Sequence, residues 1–188
     1  MRRLLAACGT LLAVVTTLTS LALPASASST TTPTPVYAPA GTTPAPITHW
    51  TATSGITPNG SAPLAANGDP CETVWVQKDG RSAINAIEVW FRTTTYWCWN
   101  WRTVTSHVTT PTGGVTKLGA AGGWQWDSSK TTGTFHCWTV AGLPGCSGNY
   151  EEEQGSFQEC ILKLGCISNF YPINQLWENA GSGTWAAA

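Results

Sequence analysis

The acidic side chains of this sequence could take part in acid–base catalysis. Glycoside hydrolysis needs two carboxyl groups on opposite sides of the bond that is cleaved. Strand alternation would place Glu88 and Glu159 on faces that could be exposed, but nothing in the sequence brings two acidic groups together. A small hydrolase is therefore the least favoured function. The four acidic candidates for that chemistry are Glu88, Asp127, Glu159 and Glu178.

Nucleophilic catalysis would need a serine or cysteine beside a histidine base and an orienting acid. The sequence has no Gly-x-Ser-x-Gly turn, and the Gly-Cys-Ser-Gly segment at 145–148 has the wrong spacing. His136 lies beside a cysteine in a strand-like segment, which indicates packing or exposure to solvent. His107 ends a Thr-rich strand, which indicates a surface residue. The sequence therefore predicts no catalytic residue and favours a protein that is not an enzyme.

Metal ligands show no recognisable spacing either. The three histidines are isolated and no Cys-x-x-Cys pair occurs, whereas structural zinc sites draw on closely spaced ligands. The run Glu151-Glu152-Glu153 could bind Ca²⁺ together with nearby carbonyl groups, although consecutive glutamates are more typical of a solvated loop. The sequence predicts no metal site and no cofactor.

Tryptophan is unusually frequent, with 11 in 188 residues. If no bulge intervenes, counting by twos from Ile87 reaches Trp97, Trp99 and Trp101, which places these rings on one apolar strand face and predicts their burial. Rings that exceed the capacity of a small core could stack on sugars, while polar neighbours bond the hydroxyl groups. The alternative is that they form the rim of the core or a partner interface. The predicted ligand-binding residues are Trp90, Trp124, Trp126, Asp127 and Trp177.

The N-terminus predicts export. Arg2 and Arg3 precede an uncharged apolar segment, and Ala25-Ser26-Ala27 matches a cleavage site, so residues 1–27 read as a signal peptide. A lipoprotein anchored at Cys8 is the alternative, but almost no hydrophobic segment precedes that cysteine. After cleavage, seven Lys and Arg face ten Asp and Glu, a formal net charge of −3. This balance argues against nucleic acid and membrane as partners, and the sequence predicts a secreted, extracellular protein.

Six cysteines remain after cleavage, and an even number in an exported chain predicts three disulfides. Of the roughly fifteen possible connectivities, we expect the one in which the first pair ties the first strand to its neighbour and the other two pairs close short loops. The expected pairs are Cys71–Cys98, Cys137–Cys146 and Cys160–Cys166.

The chain divides into an arm and a domain. Residues 28–67 contain no charged side chain, and eight of the 12 prolines lie between Pro33 and Pro70, so residues 28–70 read as a disordered Thr/Pro/Ala-rich linker. Short alternating segments from Cys71 onward indicate strands, with turns at Lys-Asp-Gly-Arg and Thr-Pro-Thr-Gly-Gly and a closing hairpin near residues 180–183. No capped helix is evident. Residues 71–188 therefore predict an all-β domain, either an antiparallel β-sandwich or a small barrel stapled by disulfides.

The overall plan resembles small exported proteins of Gram-positive bacteria, and that resemblance implies no active-site residue. The leading hypothesis is a secreted, non-enzymatic domain that binds an extracellular glycan. The alternative is an interaction protein, such as an inhibitor or toxin-like effector, that contacts another protein through the disulfide loop 137–146.

Overall fold

The computed structural model describes residues 37–57, 65, 67–142 and 144–188. The protein is all-β and antiparallel, which confirms the predicted fold class. The predicted signal peptide lies outside the described residues, and among the described ones no helix is long and apolar enough to cross a membrane. The elements are β1 His49–Ile56, β2 Cys71–Arg81, β3 Ile87–Trp99, β4 Val104–Val115, α1 Lys117–Ala121, β5 Trp124–Trp126, β6 Thr132–Trp138, β7 Gly148–Gln154, β8 Phe157–Ile161, β9 Gly165–Phe170, β10 Ile173–Asn179 and β11 Thr184–Ala187.

The strands form three sheets. The first sheet has the order β1-β2-β3-β4, the second β11-β10-β7-β6, and the third β5-β8-β9. The second and third sheets cover different parts of the inner face of the first sheet, since each supplies side chains to one of two separate apolar clusters. The 13-residue strand β3 reaches both clusters, and it therefore organises the whole domain.

The first apolar cluster lies between the first and second sheets. Its two buried indole rings, Trp97 and Trp99, come from the stretch predicted to be buried. Trp97 is fully buried and Trp99 is 7% exposed, and their rings stack with centroids 4.3 Å apart. Each indole removes about 150–250 Å² from water, which contributes about 4–6 kcal/mol before entropy is counted. The same cluster contains Val74 and Val76 from β2 and Leu176 from β10, so these rings join the first sheet to the second.

Trp101 does not continue that face, and the prediction that it is buried is wrong. The β3–β4 register shifts between Cys98 and Trp99, and β3 ends at Trp99. Trp101 then adopts a left-handed backbone conformation with φ of 66° and is 60% exposed. A bulge followed by a turn breaks the two-residue periodicity on which the prediction depends.

Two glycine-containing segments predicted to be turns lie inside strands. The Lys-Asp-Gly-Arg segment belongs to β2, and the Thr-Pro-Thr-Gly-Gly segment belongs to β4. In β4 the glycines make room for indole rings rather than for a turn, because a Cβ at Gly113 would lie 2.7 Å from Trp126 and one at Gly114 would lie 2.7 Å from Trp90. A glycine can mark a turn, but a glycine inside a strand can also allow another group to approach the backbone closely.

The segment predicted to be a disordered linker contributes a strand to the fold. β1 lies within it and pairs along its whole length with β2. Ile47, just before β1, is 7% exposed in the second apolar cluster. An existing sheet edge supplies the hydrogen-bond partners that a polar, Thr-rich segment lacks alone, so it can order without much apolar surface. The prediction is therefore wrong for this part of residues 28–70.

All three predicted disulfides are confirmed: Cys71–Cys98, Cys137–Cys146 and Cys160–Cys166. The first joins residues that lie directly opposite each other on β2 and β3. The third joins directly opposed residues on β8 and β9. Three disulfides fit the oxidising conditions found outside the cytoplasm.

Candidate functional site

The outer face of the second sheet carries a row of aromatic side chains. His136 on β6, Tyr150 on β7 and Trp177 on β10 lie directly opposite one another in the strand register. The His136 and Tyr150 ring centroids are 6.1 Å apart, and the Tyr150 and Trp177 centroids are 5.3 Å apart. The chain neighbours of each ring point to the opposite face of the sheet, because side chains alternate along a strand, and this alternation separates the aromatic row from the interior.

A second tryptophan borders this row. Trp138, the last residue of β6, lies over Gly148 of the neighbouring strand, where a Cβ would come within 2.1 Å of the indole. Trp138 is 38% exposed and Trp177 is 36% exposed. Both indoles line one shallow depression of about 220 Å³, together with Asn179, Thr184 and Ala186.

A polar network lies beside the rings on the same face. The Tyr150 hydroxyl donates to Glu152 Oε2 at 2.6 Å, and the Gln175 amide donates to Tyr150 Oη at 2.9 Å and to Glu152 Oε2 at 2.8 Å. The hydrogen bond between the phenol and the carboxylate raises the pKa of Tyr150 and lowers the pKa of Glu152. These contacts hold an ionised carboxylate and an amide in fixed positions next to the aromatic row.

The inner face of the same strands is acidic, which the sequence did not predict. The Glu151-Glu152-Glu153 run is not a solvated loop but the middle of β7, so its members alternate between the two faces. Glu151 points inward and is 3% exposed, and the Thr95 and Thr109 hydroxyls of the first sheet donate to its two carboxylate oxygens. Glu178 of β10 is 1% exposed and accepts a hydrogen bond from Asn149.

His107 lies against these two carboxyl groups, so the prediction that it is a surface residue is wrong. Its Nε2 is 3.2 Å from Glu151 Oε2 and 3.5 Å from Glu178 Oε2, and its side chain is only 15% exposed. Burial lowers the pKa of His107, but the two carboxyl groups outweigh burial and raise that pKa above its usual value. Burial, together with Glu151, raises the pKa of Glu178 to about 8.

Glu153 of β7 is a third inward carboxyl group, in addition to Glu151 of β7 and Glu178 of β10. Burial raises its pKa to about 7, and the charge of Glu151 acts in the same direction. The side chain lies over Gly133 of β6, where a Cβ would come within 2.1 Å of the carboxylate. Three acidic side chains with poor access to water therefore share the space between the two sheets.

The five residues predicted to bind a ligand do not come together. Trp90 packs on Gly114 and Trp126 on Gly113, neighbouring positions of β4 whose side chains face opposite ways. Trp124 is 3% exposed and donates its indole N–H to Ala45 O at 2.8 Å, which leaves no ring face for a sugar. Asp127 is 8% exposed and forms an ion pair with Lys130 at 3.1 Å. Trp177 alone of the five lies on the aromatic row.

The acidic residues considered for glycoside hydrolysis are also separated or covered. Glu88 and Glu159 are each 1% exposed, and burial raises the pKa of Glu88. Glu159 accepts a hydrogen bond from the Ala45 backbone at 2.9 Å. Neither carboxyl group faces an open cleft in which a glycosidic bond could lie between two acids.

The residues that sequence reasoning missed come from strands far apart in the chain. Trp138 and Tyr150 meet Trp177 only through the pairing of β6, β7 and β10, and His107 meets Glu151 and Glu178 only through the stacking of two sheets. Comparison of the chain with known protein families, with curated proteins and with solved structures gave no match.

Proposed function

We propose that this protein is a secreted, non-enzymatic domain that binds extracellular carbohydrate through the outer face of its second sheet. The observation that carries the proposal is that Trp138 and Trp177, both partly exposed, line one depression together with Asn179 and Thr184. Indole faces pack against the C–H faces of sugar rings, and amide and hydroxyl groups bond their hydroxyls.

The shape of this face favours a polymer over a small enclosed ligand. The depression, at about 220 Å³, is smaller than the roughly 300–1,000 Å³ of pockets that enclose drug-sized molecules. It suits one ring of a chain that continues across the strands over Tyr150 and His136. The fixed Glu152 and Gln175 side chains then lie beside the path of that chain and can bond its hydroxyl groups.

The alternative function, binding of another protein, has one observation of its own. The loop between β6 and β7 is tied by Cys137–Cys146, and Val140 within it is 53% exposed. A constrained loop with an exposed apolar side chain loses little entropy on binding. An inhibitor or toxin-like effector would use this loop and not the aromatic row.

The test is binding to insoluble and soluble polysaccharides, including chitin, cellulose, xylan and peptidoglycan. The full chain after export is compared with Trp138→Ala and Trp177→Ala. We expect either substitution to reduce affinity by tenfold or more, because about 1.4 kcal/mol of lost ring contact gives a factor of ten.

Trp101→Ala is the matched control, because Trp101 is 60% exposed yet does not line the depression. Equal loss in all three variants would show non-specific adhesion of indole rings and would overturn the proposal. Absence of binding to every polysaccharide, combined with capture of a protein partner that depends on Val140, would support the alternative.

A further inference from the structure

We propose that His107, Glu151 and Glu178 bind a divalent transition-metal ion, with Zn²⁺ as the best fit, in the interior between the first and second sheets. The three residues belong to β4, β7 and β10, which places one ligand on the first sheet and two on the second. This site lies on the opposite side of the second sheet from the aromatic row, and it does not depend on carbohydrate binding.

Two of the three separations between the donor atoms match a tetrahedral ion. Each side chain offers one donor atom, and the three atoms lie within 4.8 Å of one another. His107 Nε2 lies 3.2 Å from Glu151 Oε2 and 3.5 Å from Glu178 Oε2. Bonds of about 2.0–2.1 Å to Zn²⁺ place neighbouring ligands of a tetrahedron roughly 3.4 Å apart. The two measured separations lie on either side of that value.

The donor types select the metal. Ca²⁺ and Mg²⁺ prefer six or more oxygen ligands, whereas imidazole nitrogen favours zinc and its neighbours in the first transition series. One imidazole and two carboxylates give three protein ligands and leave a position open for water, as in other three-ligand zinc sites.

The surroundings hold the ligands in place. Thr95 and Thr109 of the first sheet each donate a hydroxyl hydrogen bond to one oxygen of Glu151. Asn149, directly opposite Glu178 in the register, donates its amide hydrogen to Glu178 Oε2. Hydrogen bonds of this kind to ligating carboxylates orient them and are a usual part of metal sites.

Buried polar atoms without partners provide independent support. Within the part of the chain that the structure describes, His107 Nε2, Glu178 Oε1 and Asn149 Oδ1 are buried and make no hydrogen bond. Glu178 and Asn149 are each 1% exposed, and leaving such buried polar atoms unpaired costs free energy. A cation bonded to His107 Nε2 and to Glu178 Oε2 would satisfy the first of these atoms, and a water bound to the cation could donate to Glu178 Oε1 or to the Asn149 oxygen.

A proton alone explains this arrangement less well. A single N–H on Nε2 can be directed at one carboxyl oxygen, yet two carboxyl oxygens lie within 3.5 Å of this nitrogen. A metal ion accepts both carboxylates and the nitrogen at once. The His107 side chain is itself 15% exposed, and its ring lies 4.8 Å from that of Phe135 on β6.

The experiment is titration of the chelator-treated full chain with ZnCl₂ alone, followed by isothermal calorimetry and thermal unfolding. We expect binding of one ion per chain and a rise in Tm that grows with free Zn²⁺ concentration. Co²⁺ in place of Zn²⁺ should give the visible absorption of a tetrahedral nitrogen–oxygen site, and CaCl₂ should produce neither effect.

His107→Gln and Glu178→Gln should each weaken Zn²⁺ binding by about tenfold or more and abolish the Co²⁺ absorption. The matched controls are His136→Gln and Glu152→Gln, which change the same residue types on the outer face of the same sheet and should leave binding unchanged. Far-UV circular dichroism and the Tm without metal establish that each variant is folded.

Three results would overturn the proposal. They are no Zn²⁺ binding by the folded wild-type chain, binding that survives both inner-face substitutions, and binding that is lost in the outer-face controls. If one inner-face variant fails to fold, the other variant and Glu151→Gln decide the question.

Discussion

The space between the first and second sheets has two halves that differ in chemistry. One half is apolar and is filled by Val74, Val76, Trp97, Trp99 and Leu176. The other half, toward β4 and β7, contains His107, two buried carboxyl groups and the threonine hydroxyls that contact them. Both halves are closed by the same pair of sheets, so the fold itself does not require the polar half.

The difference indicates what each half is for. Burying apolar rings stabilises the fold directly, whereas burying carboxyl groups costs free energy unless charges and hydrogen bonds compensate. A protein this short gains most from an apolar interior. Acidic side chains in half of that interior therefore point to a task other than stability, and single substitutions can distinguish the two halves.

Trp97→Ala should have the largest effect on the apolar half. It removes a fully buried ring that stacks on Trp99, and we expect the free energy of unfolding to fall by about 3–5 kcal/mol. Urea unfolding followed by tryptophan fluorescence measures the change. Trp97→Phe is the control, because it keeps most of the apolar area and removes an indole N–H that has no described partner. A cost from Trp97→Phe as large as that from Trp97→Ala would contradict this account.

The polar half should make stability fall as the pH rises. The pKa values of Glu178, about 8, and Glu153, about 7, lie above the usual 4.5, so the folded state holds protons that the unfolded state has lost. Their contribution is complete below pH 4.5 and is lost between about pH 5 and pH 8. In metal-free buffer we expect the free energy of unfolding to fall by roughly 2–4 kcal/mol over this range.

Two variants serve as controls for this pH dependence. One removes the titrating carboxyl group, and the other changes a carboxyl group on the outer face of the same sheet. Glu178→Gln should flatten most of the slope, because the amide does not titrate. Glu152→Gln on the outer face should leave the slope between pH 5 and pH 8 intact, since the pKa of Glu152 is lowered and its effect falls at more acidic pH. Equal slopes in the wild type and in Glu178→Gln would refute the assignment.

Thr95→Val makes a smaller change, which tests a contact between the two sheets within the polar half. Valine keeps the shape of threonine but cannot donate to Glu151, and loss of a hydrogen bond to a buried carboxylate should cost about 1–3 kcal/mol. Thr94→Val is the matched control, because Thr94 is the next residue of β3 and faces the opposite side of the sheet. Chemical denaturation of both variants at pH 7 should separate them by at least about 1 kcal/mol.

Trp177→Ala should have the smallest effect on stability. Its ring is 36% exposed on the outer face, so the free energy of unfolding should change by about 1 kcal/mol or less, even though glycan affinity falls. A loss of stability as large as that from Trp97→Ala would show that the aromatic row belongs to the core rather than to a binding surface.

More of the layered fold than of the candidate sites could be predicted from the sequence. Alternation along β3 correctly predicted the burial of Trp97 and Trp99, because one face of an antiparallel strand meets the core and the period is two. The disulfide pairs followed from short loops and from the opposed positions of Cys71 and Cys98. The prediction of a turn at Gly113 and Gly114 is wrong. These glycines make room for indole rings from other strands, and no local sequence pattern indicates a ring that is distant in the chain.

The candidate sites depend on register and sheet stacking, which short-range patterns do not specify. The run of three glutamates reads as a loop until β7 is paired on both edges, and His107 reads as a surface residue until the second sheet covers it. Of the ligand-binding residues predicted from composition, Trp124 became part of the core because β5 pairs with the buried strand β8.

The three disulfides have a consequence for how the molecule comes apart. Cys71–Cys98 joins neighbouring strands of the first sheet, Cys160–Cys166 joins neighbouring strands of the third, and Cys137–Cys146 closes the connection between two strands of the second. None of these bonds crosses from one layer to another. In denaturant the layers can therefore separate while each disulfide keeps one pair of neighbouring segments together, and refolding begins from three local pairs that are already joined.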